Sequence, residues 1–143
     1  MPTLTHGDAQ DLVARLKRAW EKRDVDAALD CFADGAEVRP DPFAPPLVDP
    51  NAIRAWCNEA AAMAAHTEAD AERIWLAGET VLVAFHGAWT ARASAERIRV
   101  RGVLSLELDP DRRIQRARAW ALTRVVGTDS TIGPAGEPAG TQA

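Results

Sequence analysis

The sequence predicts an α+β domain in which three helices are followed by a curved antiparallel sheet of about four to six strands. Apolar residues recur at helical spacing in three capped segments up to about His66. From Ala69 onward the period shortens to two, and Val, Ile, Trp and Thr become prominent. The later segments are joined by the turn sequences "LAGE" and "DPDRR", which suit hairpins rather than crossovers. Helices followed by a meander make the α+β pattern.

The first helix is "THGDAQDLVARLKRAWEKRD", with Ala9, Leu12, Val13, Leu16, Ala19 and Trp20 on one face and Thr5 and Asp8 as first-turn caps. After a charged break at Glu21 to Asp24, "DVDAALDCFADG" opens on a capping aspartate. It carries Val25, Ala28, Leu29 and Phe32 on one face and stops near Gly35, which predicts a short second helix. The third is "DPNAIRAWCNEAAAMAAH". Asp49 is its N-cap, Pro50 takes the first helical position, where a missing N–H costs nothing, and Ile53, Trp56, Cys57 and Ala60 repeat on one side. Four strands follow in "AERIWLAG", "TVLVAFHGAWTAR", "ERIRVRGVLSLELD" and "RRIQRARAWALTRVV".

A chain of 143 residues suits one domain, expected over residues 1–126. The small, polar, Gly/Pro-rich stretch 127–143 has little to bury and is expected to be a disordered tail. There is no internal repeat. The net charge is -4 and the Lys and Arg residues are spread along the chain, which excludes the basic stripe that a nucleic acid or a membrane surface would require. No segment approaches the roughly 20 apolar residues of a membrane span, and none combines a basic start with an apolar run, so a cytoplasmic protein is expected. Cys31 and Cys57 lie in helical patterns without metal or CxxC spacing and read as free thiols. His6, His66 and His86 are far apart, so no metal is expected. The expected partner is a small molecule or another protein.

Five tryptophans, three phenylalanines and no tyrosine form an unusual aromatic set. Trp20, Trp56, Trp75, Trp89 and Trp120 fall on five predicted elements. Each reads either as core packing or as part of the wall of a cone, formed where a strongly curved sheet wraps the long N-terminal helix around a ligand. The stretch "VRPDPFAPPLVDPNAIRAW" raises a second choice. Asp41, between two prolines, is either a turn-former that accepts a backbone N–H or the working carboxylate of a pocket.

The order of elements, with "FADGAEVRPDPFAPPLVDPNAIRAW" between the second and third helices and "LELDPDRRIQRARAWA" closing the sheet, resembles the nuclear transport factor 2-like superfamily. Within it the chain is most similar to the ketosteroid isomerases and the SnoaL-like polyketide cyclases, over about residues 8–124. The resemblance implies that Asp41, in the matching "DPF", is the general base at the mouth of the cone. Asp41 is expected in an aromatic cavity framed by Phe43, Trp56 and Trp120, the last pocket-lining by the resemblance, with Leu16, Trp20, Phe85, His86, Trp89 and Leu104 as further substrate-binding residues. Leu16 stands about where the family's helix-one tyrosine lies and Leu104 where its second acid lies, so the usual oxyanion donors are missing.

Alternation from Leu104 places Val100, Gly102 and Leu106 inside and Arg99, Arg101, Ser105 and Glu107 outside. The same alternation from Trp120 carries Arg118 and Arg116 inward. There Arg118 would pair with Asp41, hold a substrate anion or stabilise an oxyanion, and the plainer reading is a solvated strand end. His86 reads as a structural residue or a second candidate base, and Glu68 and Glu72 as turn acids or helpers of Asp41.

Together these readings predict a cofactor-independent enzyme of isomerase, cyclase, dehydratase or epoxide hydrolase type, with Asp41 as general acid/base on a hydrophobic polycyclic or polyketide-like substrate. The alternatives are a non-catalytic binding or dimerisation module of the same fold and a dead pocket serving only as scaffold. The resemblance further implies a homodimer formed through the polar outer face of the sheet.

Overall fold

In the computed structural model, which describes residues 3–131, the elements run α1 (His6–Lys22), α2 (Val25–Leu29), β1 (Phe32–Arg39), α3 (Pro50–Met63), β2 (Ala64–Ala77), β3 (Thr80–Ala91), β4 (Glu96–Leu108) and β5 (Ile114–Thr128). Helix α1 begins with a reciprocal cap. Thr5 Oγ1 accepts the Asp8 N–H at 3.1 Å, and Asp8 Oδ2 accepts the Thr5 N–H at 3.0 Å. The helix ends where Arg23 turns left-handed at φ 52°. Asp49 accepts the Asn51 N–H at 2.8 Å and Pro50 opens α3, as the sequence predicts.

Two boundaries differ from the sequence reading. The second helix stops at Leu29, and "FADGAEVR" forms strand β1 instead of completing it. The Ile114 N–H donates to Cys31 O at 2.8 Å and Phe32 pairs with Ile114, so a sheet edge distant in sequence supplies the backbone partners that local helical spacing would have supplied. The third helix ends at Met63, and the alanine-rich stretch before Ala69 already belongs to β2, where Ala64 and Ala65 pair with Ala91 and Thr90. Alanine favours helix, and the β3 ladder overrides that preference here.

The sheet order is β1-β5-β4-β3-β2. The four strands read from the sequence are antiparallel neighbours, but β1 joins β5 in parallel, so the sheet is mixed rather than antiparallel throughout. It is curved and does not close. Helix α1 lies on its concave face. Leu4, Ala9 and Leu12 pack there with Cys31, Val81, Val83, Leu106, Leu108 and Ile114, and Val13, Leu16 and Phe32 flank them. Each large side chain so buried contributes on the order of 1.5–3 kcal/mol.

Two glycines permit the curvature. A Cβ on Gly102 would lie 2.3 Å from Trp120 O and 2.7 Å from Ala121 Cα, and one on Gly87 would lie 2.6 Å from Glu68 O. Gly102 pairs with Phe85 and Gly87 with Val100, so the two sit on a diagonal of the ladder where neighbouring backbones approach too closely for any side chain.

Strand β5 runs past Val126, and its end is fastened. The Asp129 N–H donates to Ala95 O at 2.7 Å, and Asp129 Oδ2 accepts the hydroxyl of fully buried Thr90 at 2.6 Å. Thr131 donates to Asp129 Oδ1 through its N–H at 2.9 Å and its hydroxyl at 2.6 Å. Residues 132–143, to which the expectation of a disordered tail mostly refers, lie outside the described residues. The Thr131 and Thr90 hydroxyls, with the Thr131 N–H, hold the Asp129 carboxyl well below the usual carboxylate range.

Gly102→Ala is expected to destabilise the fold by about 1–3 kcal/mol through overpacking. Gly127→Ala, which meets nothing within 4 Å, should change stability by less than about 0.5 kcal/mol; denaturant unfolding of both checks this. For Asp129 the folded-state pKa is depressed, so its stabilisation is present above the unfolded value of about 4 and is lost as pH falls towards the folded value. Asp129→Asn should therefore lower Tm at pH 7, and the gap to wild type should narrow between pH 5 and pH 2.

Candidate functional site

The ladder assigns each strand residue to a face, because directly paired residues point the same way. Val83 pairs with Leu104 and Leu104 with Ala119, and the run continues through Phe85, Gly102 and Ala121 to Gly87, Val100 and Thr123. This is the concave face, with Trp89 and Ile98 beyond it. From Ala69 to Leu76, Val81 to Trp89, Ile98 to Leu108 and Ala117 to Val125, the inward positions carry no titratable side chain. The convex face holds the charges. Glu72 meets His86 Nδ1 at 3.0 Å and Arg101 at 3.1 Å, and Arg97 meets Glu68. At the edge of β2, Lys17 of α1 meets Asp70 at 3.1 Å and donates to Ala69 O at 2.7 Å, while Glu21 accepts the Ala69 N–H at 3.1 Å.

Of the residues singled out from the sequence, Leu16, Phe85 and Leu104 come together against the core cluster, and Trp89 shares their face of the sheet. Trp56 and Cys57 are half-buried beside buried Ile53 on α3, and Trp20 remains 42% exposed. Burial pushes the Cys31 and Cys57 thiols up.

The other placements are corrected. Trp120 pairs with Val103 and is 45% exposed on the convex face, since its neighbour Ala119, opposite Leu104, takes the inward position. Arg118 pairs with Ser105 and lies beside Arg39 on that same face. Arg116 is there too, bonded to Glu37 at 2.8 Å and to Glu107 at 3.4 Å; the Glu37 hydrogen bond leads in pushing its guanidinium pKa up. His86 points outward to Glu72. Phe43 is 96% exposed and frames no enclosed pocket.

Asp41 is exposed as well. Its Oδ1 accepts the Phe43 N–H at 2.9 Å and its carbonyl accepts the Ala44 N–H at 3.1 Å, an Asx turn built on the "DPF" sequence. No hydrogen bond or ion pair joins Asp41 to Arg118 among the described residues.

Sequence reasoning missed Thr67. Its hydroxyl oxygen is buried without a hydrogen-bond partner among the described residues. It lies where the ladder slips between Ala65 and Glu68, and His66 there has φ 49°. The only signal in the sequence is the polar "HTE" at the junction read as the end of the third helix.

A separate surface concavity of about 290 Å³ lies between α1 and α2, bordered by Arg15, Arg18, Lys22, Asp24 and Asp30. Among the described residues no three His, Cys, Asp or Glu side chains are grouped to hold a metal ion, and no helix is long and apolar enough to cross a membrane.

A curved sheet around one long helix, with an apolar inner face, is the geometry that the resemblance implies, and a family model for the SnoaL-like domain matches residues 13–117. The chain belongs to the SnoaL-like domain family. Through it the protein falls in the nuclear transport factor 2-like superfamily. The SnoaL-like domain superposes with TM-score 0.75 on SalBIII, described as an epoxide hydrolase/cyclase-like enzyme in pyran ring formation in polyether salinomycin. The two are 19% identical over 84% of this chain and 97% of that one. A SnoaL-like protein of unknown function from Burkholderia thailandensis gives TM-score 0.70 at 22% identity, over 85% of this chain and 99% of that one. A hypothetical protein with a ketosteroid isomerase-like fold from Catenulispora acidiphila gives 0.69 at 15% identity, over 93% and 98%. At these identities the likeness establishes the fold and not the chemistry. No curated protein matches the chain.

The turn geometry makes Asp41 a local structural residue whatever else it does. Asp41→Ala is expected to cost about 0.5–1 kcal/mol of stability and Asp41→Asn less, because Asn forms the same turn; denaturant titration of the two variants measures this.

Proposed function

We propose that this SnoaL-like domain holds a hydrophobic, polycyclic or polyketide-like small molecule against the concave face of its sheet, without a cofactor. The observation that carries this reading is the separation of faces: inward strand positions are apolar around Phe85 and Trp89, while the strand charges pair on the convex side. Such a surface gains from covering apolar rings, and its inward strand positions hold no charge to desolvate.

A second reading, in which the bound molecule is also isomerised or cyclised, is favoured by the epoxide hydrolase/cyclase-like description of the SalBIII neighbour. Asp41 is its candidate acid/base. As it stands, the carboxylate is a solvated group just beyond β1, so its use as a base would require the ligand to cover it.

The convex face suits a second copy of the chain. Ala84, Val103 and Trp120 form one cross-strand row, Leu122 is 83% exposed beside it, and arginines and acids rim the patch. Trp120→Glu is expected to shift light scattering from dimer to monomer at micromolar concentration; a monomeric wild type would remove the dimer.

Titration with polycyclic ketones, followed by tryptophan fluorescence and thermal shift, tests the binding reading. Saturable binding that raises Tm is expected. Asp41→Asn should retain that binding. If chemistry runs through Asp41, turnover of a converted ligand should fall at least about a hundredfold in this variant, and unchanged turnover would remove Asp41 as the base.

A further inference from the structure

We infer that the Thr67 hydroxyl is the polar anchor of the ligand face, and that the ligand it selects carries a ring carbonyl or hydroxyl on an otherwise apolar body. This rests on the binding reading above and makes it more specific. Buried polar atoms in folded proteins are almost always paired, and an unpaired one destabilises the fold. The contrast within this chain is direct, since the Thr90 hydroxyl, also buried, donates to Asp129 at 2.6 Å and accepts from Arg97 at 3.2 Å. Among the described residues Thr67 Oγ1 has neither kind of partner.

Its direction follows from its neighbours. Glu68 turns to the convex face, where it meets Arg97, and strand alternation then turns Thr67 to the concave face. Ala69, two residues on and on the same face, pairs with Gly87, which offers no side chain, and Trp89 stands two residues beyond Gly87 on β3. Thr67 thus lies between Ala69, whose backbone is bonded to Lys17 and Glu21 of α1, and the aromatic wall at Trp89. Among the described inward strand positions between the strand ends, the other hydrogen-bonding side chains are the indole of Trp89 and the exposed hydroxyl of Thr123 on β5.

The oxygen is shielded while the residue as a whole keeps part of its surface open. A rotation of about 120° about Cα–Cβ exchanges hydroxyl and methyl between staggered positions, so the hydroxyl can meet an incoming oxygen without backbone movement. The bulge at His66, φ 49°, lets the strand present this side chain where a regular ladder would not.

The test uses the full chain, the isosteric variant Thr67→Val, and two probes that differ by a carbonyl in place of a methylene, 9-fluorenone and fluorene, in equilibrium dialysis. Wild type is expected to bind the ketone about tenfold more tightly than the hydrocarbon, and Thr67→Val to bind both with the affinity that wild type shows for fluorene. Thr67→Val should also melt no lower than wild type, since it removes an unpaired polar atom. Equal binding of the two probes by wild type, or a ketone preference that survives in Thr67→Val, overturns the anchor and leaves the binding reading standing. Failure of wild type to bind either probe overturns the binding reading and the anchor with it.

Discussion

The close approach of neighbouring strands at Gly87 and Gly102 is the constraint on which the rest of the structure depends. With a Cβ at Gly102 only 2.3 Å from Trp120 O, strands β4 and β5 could not bend together as they do, and the sheet would flatten. A flatter sheet would not bring Val81, Val83, Leu106 and Ile114 around the apolar stripe of α1, and that contact is the core of the domain. The curvature also creates the concave face. One backbone feature therefore supports both the stability of the fold and the apolar concave face.

Curvature makes the two faces unequal, and the sequence uses the difference. Strand parity sends Phe85, Trp89, Leu104 and Leu106 inward and His86, Arg101, Arg116 and Arg118 outward, where each charge has solvent or a carboxylate within reach. Half-exposed ion pairs of this kind add little stability, typically about 0–1 kcal/mol each. Their main effect is to keep charge out of the interior. The same arrangement separates this chain from the ketosteroid isomerase pattern that its sequence resembles. Leucines stand where donors are expected, Arg118 cannot replace those donors from the opposite face, and Asp41 spends a carboxylate oxygen on its own turn. The fold is shared with enzymes, and the polar groups that would stabilise a developing negative charge are not grouped on the concave face.

Against that background the buried hydroxyls of the sheet carry weight. Thr90 and Asp129 show how the chain satisfies a buried hydroxyl when its role is structural, closing the end of β5 over the β3–β4 turn. Thr67, a short distance along β2 from where Ala65 meets Thr90, is left unsatisfied. Among the described residues the two threonine hydroxyls thus have opposite hydrogen-bonding fates, Thr90 satisfied on the face of Arg97 and Thr67 unpaired on the concave side.

The sequence by itself determined what short-range physics controls. The Thr5–Asp8 and Asp49–Pro50 caps fixed the starts of α1 and α3, period-two alternation fixed β3, β4 and β5, and the "LAGE" and "DPDRR" turns fixed the antiparallel pairing of β2 with β3 and of β4 with β5. The match of "FADGAEVRPDPF" and the closing strand to a family pattern carried the fold as well. Only the tertiary structure decided the rest. "FADGAEVR" became a strand because β5, some eighty residues away in the chain, offered it an edge, and "AAHTE" joined β2 because β3 outbid local helix preference. Alternation states that Trp120 and Ala119 face opposite ways but not which of them faces inward; the pairing of Leu104 with Ala119 settles that. The same limit hid the exposure of Asp41 and the orphan hydroxyl of Thr67, because burial and hydrogen-bond satisfaction belong to neighbours that the chain meets only after folding.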